Sequence, residues 1–114
     1  MILITGAKGF LGKRIVRKVK SLGLEYYPTS LSLGCDLRDP VQVEALFEKV
    51  RPQIILNCAA FVGGIQFGYK HPAELFTNNM LMTINLLEMS HNFNVQRIVN
   101  PISNCAYPAK ASLF

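Results

Sequence analysis

Short, continuously apolar runs alternate along the chain with longer segments in which apolar residues recur every three to four positions. That is the pattern of strands buried on both faces of a parallel sheet, joined by amphipathic helices. Residues 2–4 (Ile-Leu-Ile) predict the first strand. Leu11, Ile15, Val16, Val19 and Leu22 then form one apolar stripe of a helix that Gly23 ends. Residues 24–27 predict a second strand, although Pro28 is discordant there because it supplies no ladder donor.

A short third strand is expected at residues 33–35. Asp39-Pro40 starts the next helix, with proline at the first helical position and Val41, Val43, Leu46, Phe47 and Val50 on its buried side. Arg51-Pro52 stops that helix, and residues 54–56 predict the next buried strand. A loop over residues 61–72 leads to a long helix over 73–93, in which Leu75, Phe76, Met80, Ile84, Leu87 and Met89 are spaced for burial. Asn78 and Asn79 are poor helix formers inside it, so one of the pair is expected to turn inward. A last strand is expected within residues 96–103, interrupted by Pro101.

The candidate chemistry begins where the first strand stops. Gly6, Gly9 and Gly12 are spaced Gly-x-x-Gly-x-x-Gly between a strand and a helix. One glycine permits a tight turn, one lets backbone approach a pyrophosphate, and one lets the helix pack closely. The helix amino terminus directs unpaired N–H groups and a positive dipole end at the same place, so its natural ligand is an anion. A strand-to-helix turn that needs glycine only for steric reasons has the same sequence.

Position favours the nucleotide reading, and with the alternating elements it predicts an α/β chain with a Rossmann-like doubly wound parallel sheet. Glu25 lies at the amino end of its strand, the wrong end to hold the adenosine ribose. Thr29, Ser30 and Ser32 follow instead, and Lys8 sits in the glycine turn, a set that favours NADP while leaving NAD possible. Lys8 also fits a merely exposed turn residue. The small residues of Asn57-Cys58-Ala59-Ala60, at a strand's carboxyl end, leave room for a ligand or for tight helix packing.

Composition narrows the classes. The 114 residues bound the chain to one domain, half apolar and 17% charged, which excludes disorder. No apolar run is long enough to span a bilayer and the start lacks signal-peptide order, so the expected location is cytoplasmic, with no membrane partner. The net charge of +5 invites a nucleic-acid reading. Half of the twelve basic residues (Lys8, Lys13, Arg14, Arg17, Lys18, Lys20) lie in or beside the first helix, however, with no aromatic residue interleaved between Lys13 and Lys20, which argues for a solvated face and against nucleic acid. Cys35, Cys58 and Cys105 lack Cys-x-x-Cys spacing and are expected to be reduced, with no metal site.

Together the motifs Thr5-Gly6-Ala7-Lys8-Gly9-Phe10-Leu11-Gly12, Asp36-Leu37, Asn57-Cys58-Ala59-Ala60-Phe61-Val62-Gly63-Gly64-Ile65, Asn79 and Ser103-Asn104-Cys105-Ala106-Tyr107-Pro108 resemble the extended short-chain dehydrogenase/reductase superfamily, the NAD-dependent epimerases and dehydratases. Val62-Gly63-Gly64 with Ser103-x-Cys105-x-Tyr107-Pro108 points to its GDP-fucose synthase branch, in which NADPH reduces a 4-keto nucleotide sugar after epimerisation beside the ketone. The resemblance implies a cofactor site of Gly6, Lys8, Gly9, Phe10, Leu11, Gly12, Asp36, Leu37, Ala59, Ala60 and Asn79. It puts the pyrophosphate at the glycines, adenine near Asp36 and Leu37, and nicotinamide near Ala59 and Ala60.

It also implies catalytic roles for Ser103, holding the keto oxygen, and Cys105, moving the proton for epimerisation. A small buried hydrophobe is an equally ordinary use of a free cysteine. The branch's Tyr-x-x-x-Lys pair is missing, since none of Tyr26, Tyr27, Tyr69 and Tyr107 has lysine four residues later.

Residues 1–114 are therefore expected to be the N-terminal part of a dinucleotide-binding domain, truncated after about the fifth strand, without the C-terminal substrate domain and inactive alone. Two alternatives stand beside this. One is an interaction module, a homodimer among its forms, that pairs through the open edge of the last strand. The other is a truncated product without function.

Overall fold

The computed structural model describes residues 1–103. Its centre is a parallel sheet of β1 (Ile2–Thr5), β2 (Tyr26–Pro28), β3 (Ile54–Asn57) and β4 (Arg97–Val99), in the spatial order β2-β1-β3-β4. The connecting helices are α1 (Phe10–Ser21), α2 (Pro40–Val50), α3 (Ile65–Lys70) and α4 (Pro72–Asn92). The chain winds one way from β1 to β2 and the other way from β1 to β3 and β4. Right-handed crossovers then place α1 on one face and α2 with α4 on the other. This is the doubly wound α/β arrangement that the sequence predicts, with its reversal of winding between β1 and β3.

The core lies on the α2 and α4 side. Leu3 and Ile55, register partners across β1 and β3, are fully buried there with Val43, Phe47 and Leu86. Ile4 is also fully buried, and strand alternation turns it to the α1 side. Asp39 caps α2 by accepting from the Val41 N–H at 2.9 Å. Phe47 meets Phe93 edge-on, with ring centroids 5.6 Å apart.

The third expected strand, residues 33–35, does not form. Leu31–Leu33 is a single 3-10 turn, closed by the left-handed Gly34 (φ 88°), and the Leu33 and Cys35 N–H groups both bond back to the Ser30 carbonyl. The described sheet therefore has four strands, with β2 at its edge. That position resolves the discord of Pro28. The Thr29 N–H donates inward to the Ile4 carbonyl at 2.8 Å, so by alternation the Pro28 nitrogen faces the free edge, where no ladder donor is required.

Two further expectations need correction. The loop over residues 61–72 contains α3, whose Phe67 ring stacks on His71 at 4.5 Å. In α4 the buried face is only partly the predicted one: of the six residues expected there, Met89 packs against the core and Leu75 is half-buried, and the other four face outward. Phe76 is 69% exposed, and Met80, Ile84 and Leu87 are exposed with it, whereas Asn85, Leu86 and Ser90 are buried and Met82 and Met89 pack against the core. The helix is apolar on both sides, so periodicity alone does not choose between them. Hydrogen-bonded polar side chains occupy the inner face. The last strand is shorter than expected, three residues ending at Val99 ahead of Pro101.

Candidate functional site

An open cleft of about 290 Å³ lies at the carboxyl ends of the strands, where the winding reverses. Gly6 and Gly9 line it from the turn after β1, Ser30 and Leu31 from the turn after β2, and Cys58, Ala59, Ala60 and Phe61 from the segment after β3. Cys35, Asp36, Leu37 and Arg38 close one side, and Met82 of α4 completes the wall.

Close backbone approach explains the glycines. Gly6 has φ 58°, and a Cβ there would lie 2.4 Å from the Cys58 carbonyl oxygen. At Gly12, in the first turn of α1, a Cβ would lie 2.1 Å from the Gly6 carbonyl oxygen. The turn after β1 is thus pressed between α1 and the end of β3, and only glycine fits at either contact. Gly9 precedes the helix in extended conformation and is exposed. The first-turn N–H groups of α1 have no acidic neighbour in that turn, so the cradle suits an anion.

Polar side chains fix the segment after β3. The Thr5 hydroxyl donates to the Asn57 carboxamide oxygen and accepts from the Cys58 N–H at 3.2 Å. The Asn57 oxygen also accepts from the Ala59 N–H at 3.2 Å, while its Nδ2 donates to Asn100 Oδ1 at 2.6 Å. The carboxyl ends of β1, β3 and β4 are thereby tied together below the cleft.

Three asparagines of α4 hold the cleft's walls. Asn79 accepts from the Phe61 N–H at 2.9 Å and donates back to the Phe61 carbonyl at 2.8 Å. Asn85 donates to the Leu37 carbonyl at 2.9 Å. Asn78 accepts from Arg38 Nη1 at 2.7 Å. Arg38 in turn grips Asp36, with Nε within 2.9 and 3.1 Å of the two carboxylate oxygens and Nη2 2.6 Å from Oδ2. This grip holds the Asp36 carboxyl below the ordinary carboxylate range. Burial pushes both the Cys35 and the Cys58 thiols up, so neither is a thiolate at neutral pH.

Of the residues expected to hold a cofactor, Gly6, Gly9, Asp36, Leu37, Ala59 and Ala60 line the cleft together. Gly12 acts one layer behind, Asn79 acts through the Phe61 backbone, and Lys8 and Phe10 are exposed beside the turn, with the Arg14 guanidinium 3.8 Å above the Phe10 ring. Leu11 is exposed in the first turn of α1. Ser103 follows β4 in an exposed segment and is not among the lining residues, and Cys105 lies outside the described residues. Arg38, Leu31, Cys35, Phe61 and Met82 line the cleft without a cofactor role having been expected of them, and Cys58 lines it as part of the small-residue run expected to leave room there. The Arg at two positions after Asp36 was the available signal for the first of them. Among the described residues no three His, Cys, Asp or Glu side chains gather as a metal site, and no helix is long and apolar enough to cross a membrane.

A glycine turn against a helix amino terminus, opening on a cleft at the winding reversal, defines a Rossmann-type dinucleotide-binding domain. The chain belongs to the NAD dependent epimerase/dehydratase family, whose model matches residues 2–113. It is 35% identical over 107 residues to a GDP-L-colitose synthase of Yersinia pseudotuberculosis, covering 94% of this chain and 34% of that protein. It is 32% identical to the GDP-L-fucose synthase of Dictyostelium discoideum, covering 97% of this chain and 35% of that one. A crystal structure of a GDP-L-fucose synthetase from Naegleria fowleri bound to NADP superposes with a TM-score of 0.77 at 31% identity, over 98% of this chain and 33% of that one. The chain thus spans about a third of the length of the relatives it matches.

Proposed function

We propose that this chain is the dinucleotide-binding part of an enzyme that epimerises and reduces a 4-keto nucleotide sugar, and that it binds NADP in preference to NAD. The observation that carries the reading is the meeting of the Gly6–Gly9 turn, the first turn of α1 and the Cys58–Phe61 segment around one cleft at the winding reversal. The GDP-L-fucose synthetase bound to NADP, which aligns over nearly the whole chain, supports the cofactor. So does the chemistry at the end of β2. Ser30 lines the cleft there and no carboxylate follows on the strand, while Glu25 lies at the opposite end, 3.8 Å from the Met1 amino group. A 2′-phosphate at that end meets hydroxyl donors and the nearby Lys8.

In this reading the first-turn N–H groups of α1 hold the pyrophosphate, Asp36 and Leu37 flank the adenine, and Ala59 and Ala60 leave room for the nicotinamide side. The bound cofactor supplies hydride chemistry. Ser103 holds the keto oxygen and Cys105 moves the proton beside the ketone, the roles that the family resemblance implies. The Tyr-x-x-x-Lys pair is not in this sequence, so the isolated chain binds cofactor without completing reduction.

The test is titration of the chain with NADPH and NADH, following nicotinamide fluorescence and the melting transition together. A hundredfold excess over Kd stabilises a folded chain by about 2.7 kcal/mol, a shift of about 10 °C at this size. Tighter NADPH binding supports Lys8 and Ser30 as phosphate partners. A folded chain whose melting neither cofactor shifts refutes the assignment.

A further inference from the structure

The sheet divides the charge of the chain. Residues 1–25 hold six of the twelve basic residues (Lys8, Lys13, Arg14, Arg17, Lys18, Lys20) and one of the seven acidic ones, Glu25, which lies 3.8 Å from the Met1 amino group. The whole net charge of +5 therefore sits in this first stretch, and the remainder of the chain sums to zero. Between the two faces the contrast is sharper: α1 carries five cations and no carboxylate, whereas α2 and α4 together carry four carboxylates and one lysine. All six cations of the first stretch are exposed, and the side-chain ion pairs among the described residues join other groups. Lys13, Arg17 and Lys20 form one row along α1, and Arg14 and Lys18 a second, at spacings of three and four. Like charges at these spacings oppose helix formation, as do the cations Lys8 and Lys13 beside the positive end of the helix dipole. The helix that bears this cost is the one whose amino end follows Gly6 and Gly9 out of the cleft. Arg14 turns back toward that end, where its Nη1 donates to the Phe10 carbonyl at 3.0 Å and its guanidinium lies 3.8 Å over the Phe10 ring.

We propose that the solvent-facing cations of α1 form an electrostatic steering surface: they draw an anionic dinucleotide toward the mouth of the cleft and raise its association rate, and those behind the first turn do so without touching it once bound. The inference rests on the dinucleotide reading, which supplies the anion. A pyrophosphate, with a further phosphate in NADP, is attracted to the α1 side and turned away from the carboxylate-rich helices of the other face, so encounters concentrate at the end where the N–H cradle lies. Arg17 and Lys18 lie seven and eight residues beyond Phe10, about 10–12 Å along the helix axis, out of contact range of a ligand in the cradle. Their charge still reaches it when salt is low, because the screening length is about 30 Å at 0.01 M ionic strength and about 3 Å at 1 M. Steering acts on the rate of arrival, whereas a contact acts on the rate of departure, and the two are separable by kinetics.

The experiment measures association and dissociation rates of NADPH and NADH by stopped-flow nicotinamide fluorescence, at about 0.01 M and about 1 M salt. The proteins are the 114-residue chain, an Arg17→Gln, Lys18→Gln double variant, and a Lys49→Gln, Arg97→Gln double variant that removes the same charge away from α1. Circular dichroism confirms each fold, and the single variants Arg17→Gln and Lys18→Gln replace the first double if it does not fold. At low salt the α1 variant is expected to bind NADPH about threefold to tenfold more slowly than the unmodified chain, with its dissociation rate changed less than about twofold. The control variant loses less than about twofold in either rate, and at high salt the three proteins converge. NADPH, which carries the additional phosphate, loses association rate with salt more steeply than NADH. An association rate indifferent to salt overturns the proposal, and so does an equal loss in both double variants, which makes net charge rather than its placement the cause. A loss of affinity expressed only as faster dissociation also overturns it, because Arg17 or Lys18 then acts by contact. Failure of the folded, unmodified chain to bind either cofactor overturns the dinucleotide reading itself, and this inference with it.

Discussion

Thr5 and Asn57 are register partners at the ends of β1 and β3, and the hydroxyl of the first donates to the carboxamide oxygen of the second in a fully enclosed contact. From that pair the bonds spread to Cys58, Ala59 and Asn100, so one buried couple sets the path of the chain as it leaves the sheet. Asn57→Ala leaves the Thr5 hydroxyl and the Ala59 N–H without their acceptor. The expected cost is about 1–3 kcal/mol, the range for an orphaned buried polar group, read from a urea midpoint. A loss under 0.5 kcal/mol overturns this account of the network.

The glycines separate in the same assay. Gly12→Ala drives a methyl into the Gly6 carbonyl, so α1 must retreat from β1, and a loss of about 1–3 kcal/mol is expected together with weakened cofactor binding. Gly23→Ala is the control. Gly23 has φ 67° with nothing within 4 Å of the added carbon, so the cost is about 1 kcal/mol of backbone strain and cofactor affinity is unchanged.

Much of this was legible in the residues and some was not. The parallel strands, α1 and α2 follow from apolar periodicity, and the cleft follows from three glycines and a short run of small residues after a strand. Residues 33–35 failed as a strand because a Leu-Gly-Cys run carries no long-range information, and local bonds to the Ser30 carbonyl curl it into a turn. The inward face of α4 was hidden for the opposite reason. Apolar side chains ring that helix, and the decision falls to Asn79, Asn85 and Ser90, whose partners lie in distant or preceding turns. Arg38 escaped notice because a single arginine beside an aspartate is ordinary until its third contact, on a helix forty residues away, is seen.

The Asp36 carboxyl gives a pH signature. Its folded value lies below the ordinary carboxylate range because Arg38 donates to it, so the stability it contributes is present above the unfolded value near pH 4 and is lost as pH falls through the folded one. Arg38→Ala removes that contribution. Urea midpoints of the two proteins are expected to differ at pH 6 and to converge as the pH falls below the unfolded value near 4. A constant difference across that window contradicts the assignment.

The two described cysteines should be sluggish. Burial raises both thiols above the ordinary value of 9.0, so iodoacetamide at pH 7 is expected to label Cys35 and Cys58 far more slowly than a peptide thiol, with labelling rising only in strong base. Peptide mapping by mass spectrometry resolves the sites. Rapid modification of Cys58 at pH 7 shows that the segment after β3 opens, contrary to the bonds that tie it down.

Asn78, Asn79 and Asn85 occupy two successive turns of a single helix, yet they hold Arg38, Phe61 and Leu37, which belong to opposite walls of the cleft. A rigid rod that grips both jaws makes their separation a property of the rod. Rotating or sliding α4 displaces both jaws at once, so neither end of the ligand can be accommodated by adjusting its own wall alone, and selection acting on one end is felt at the other.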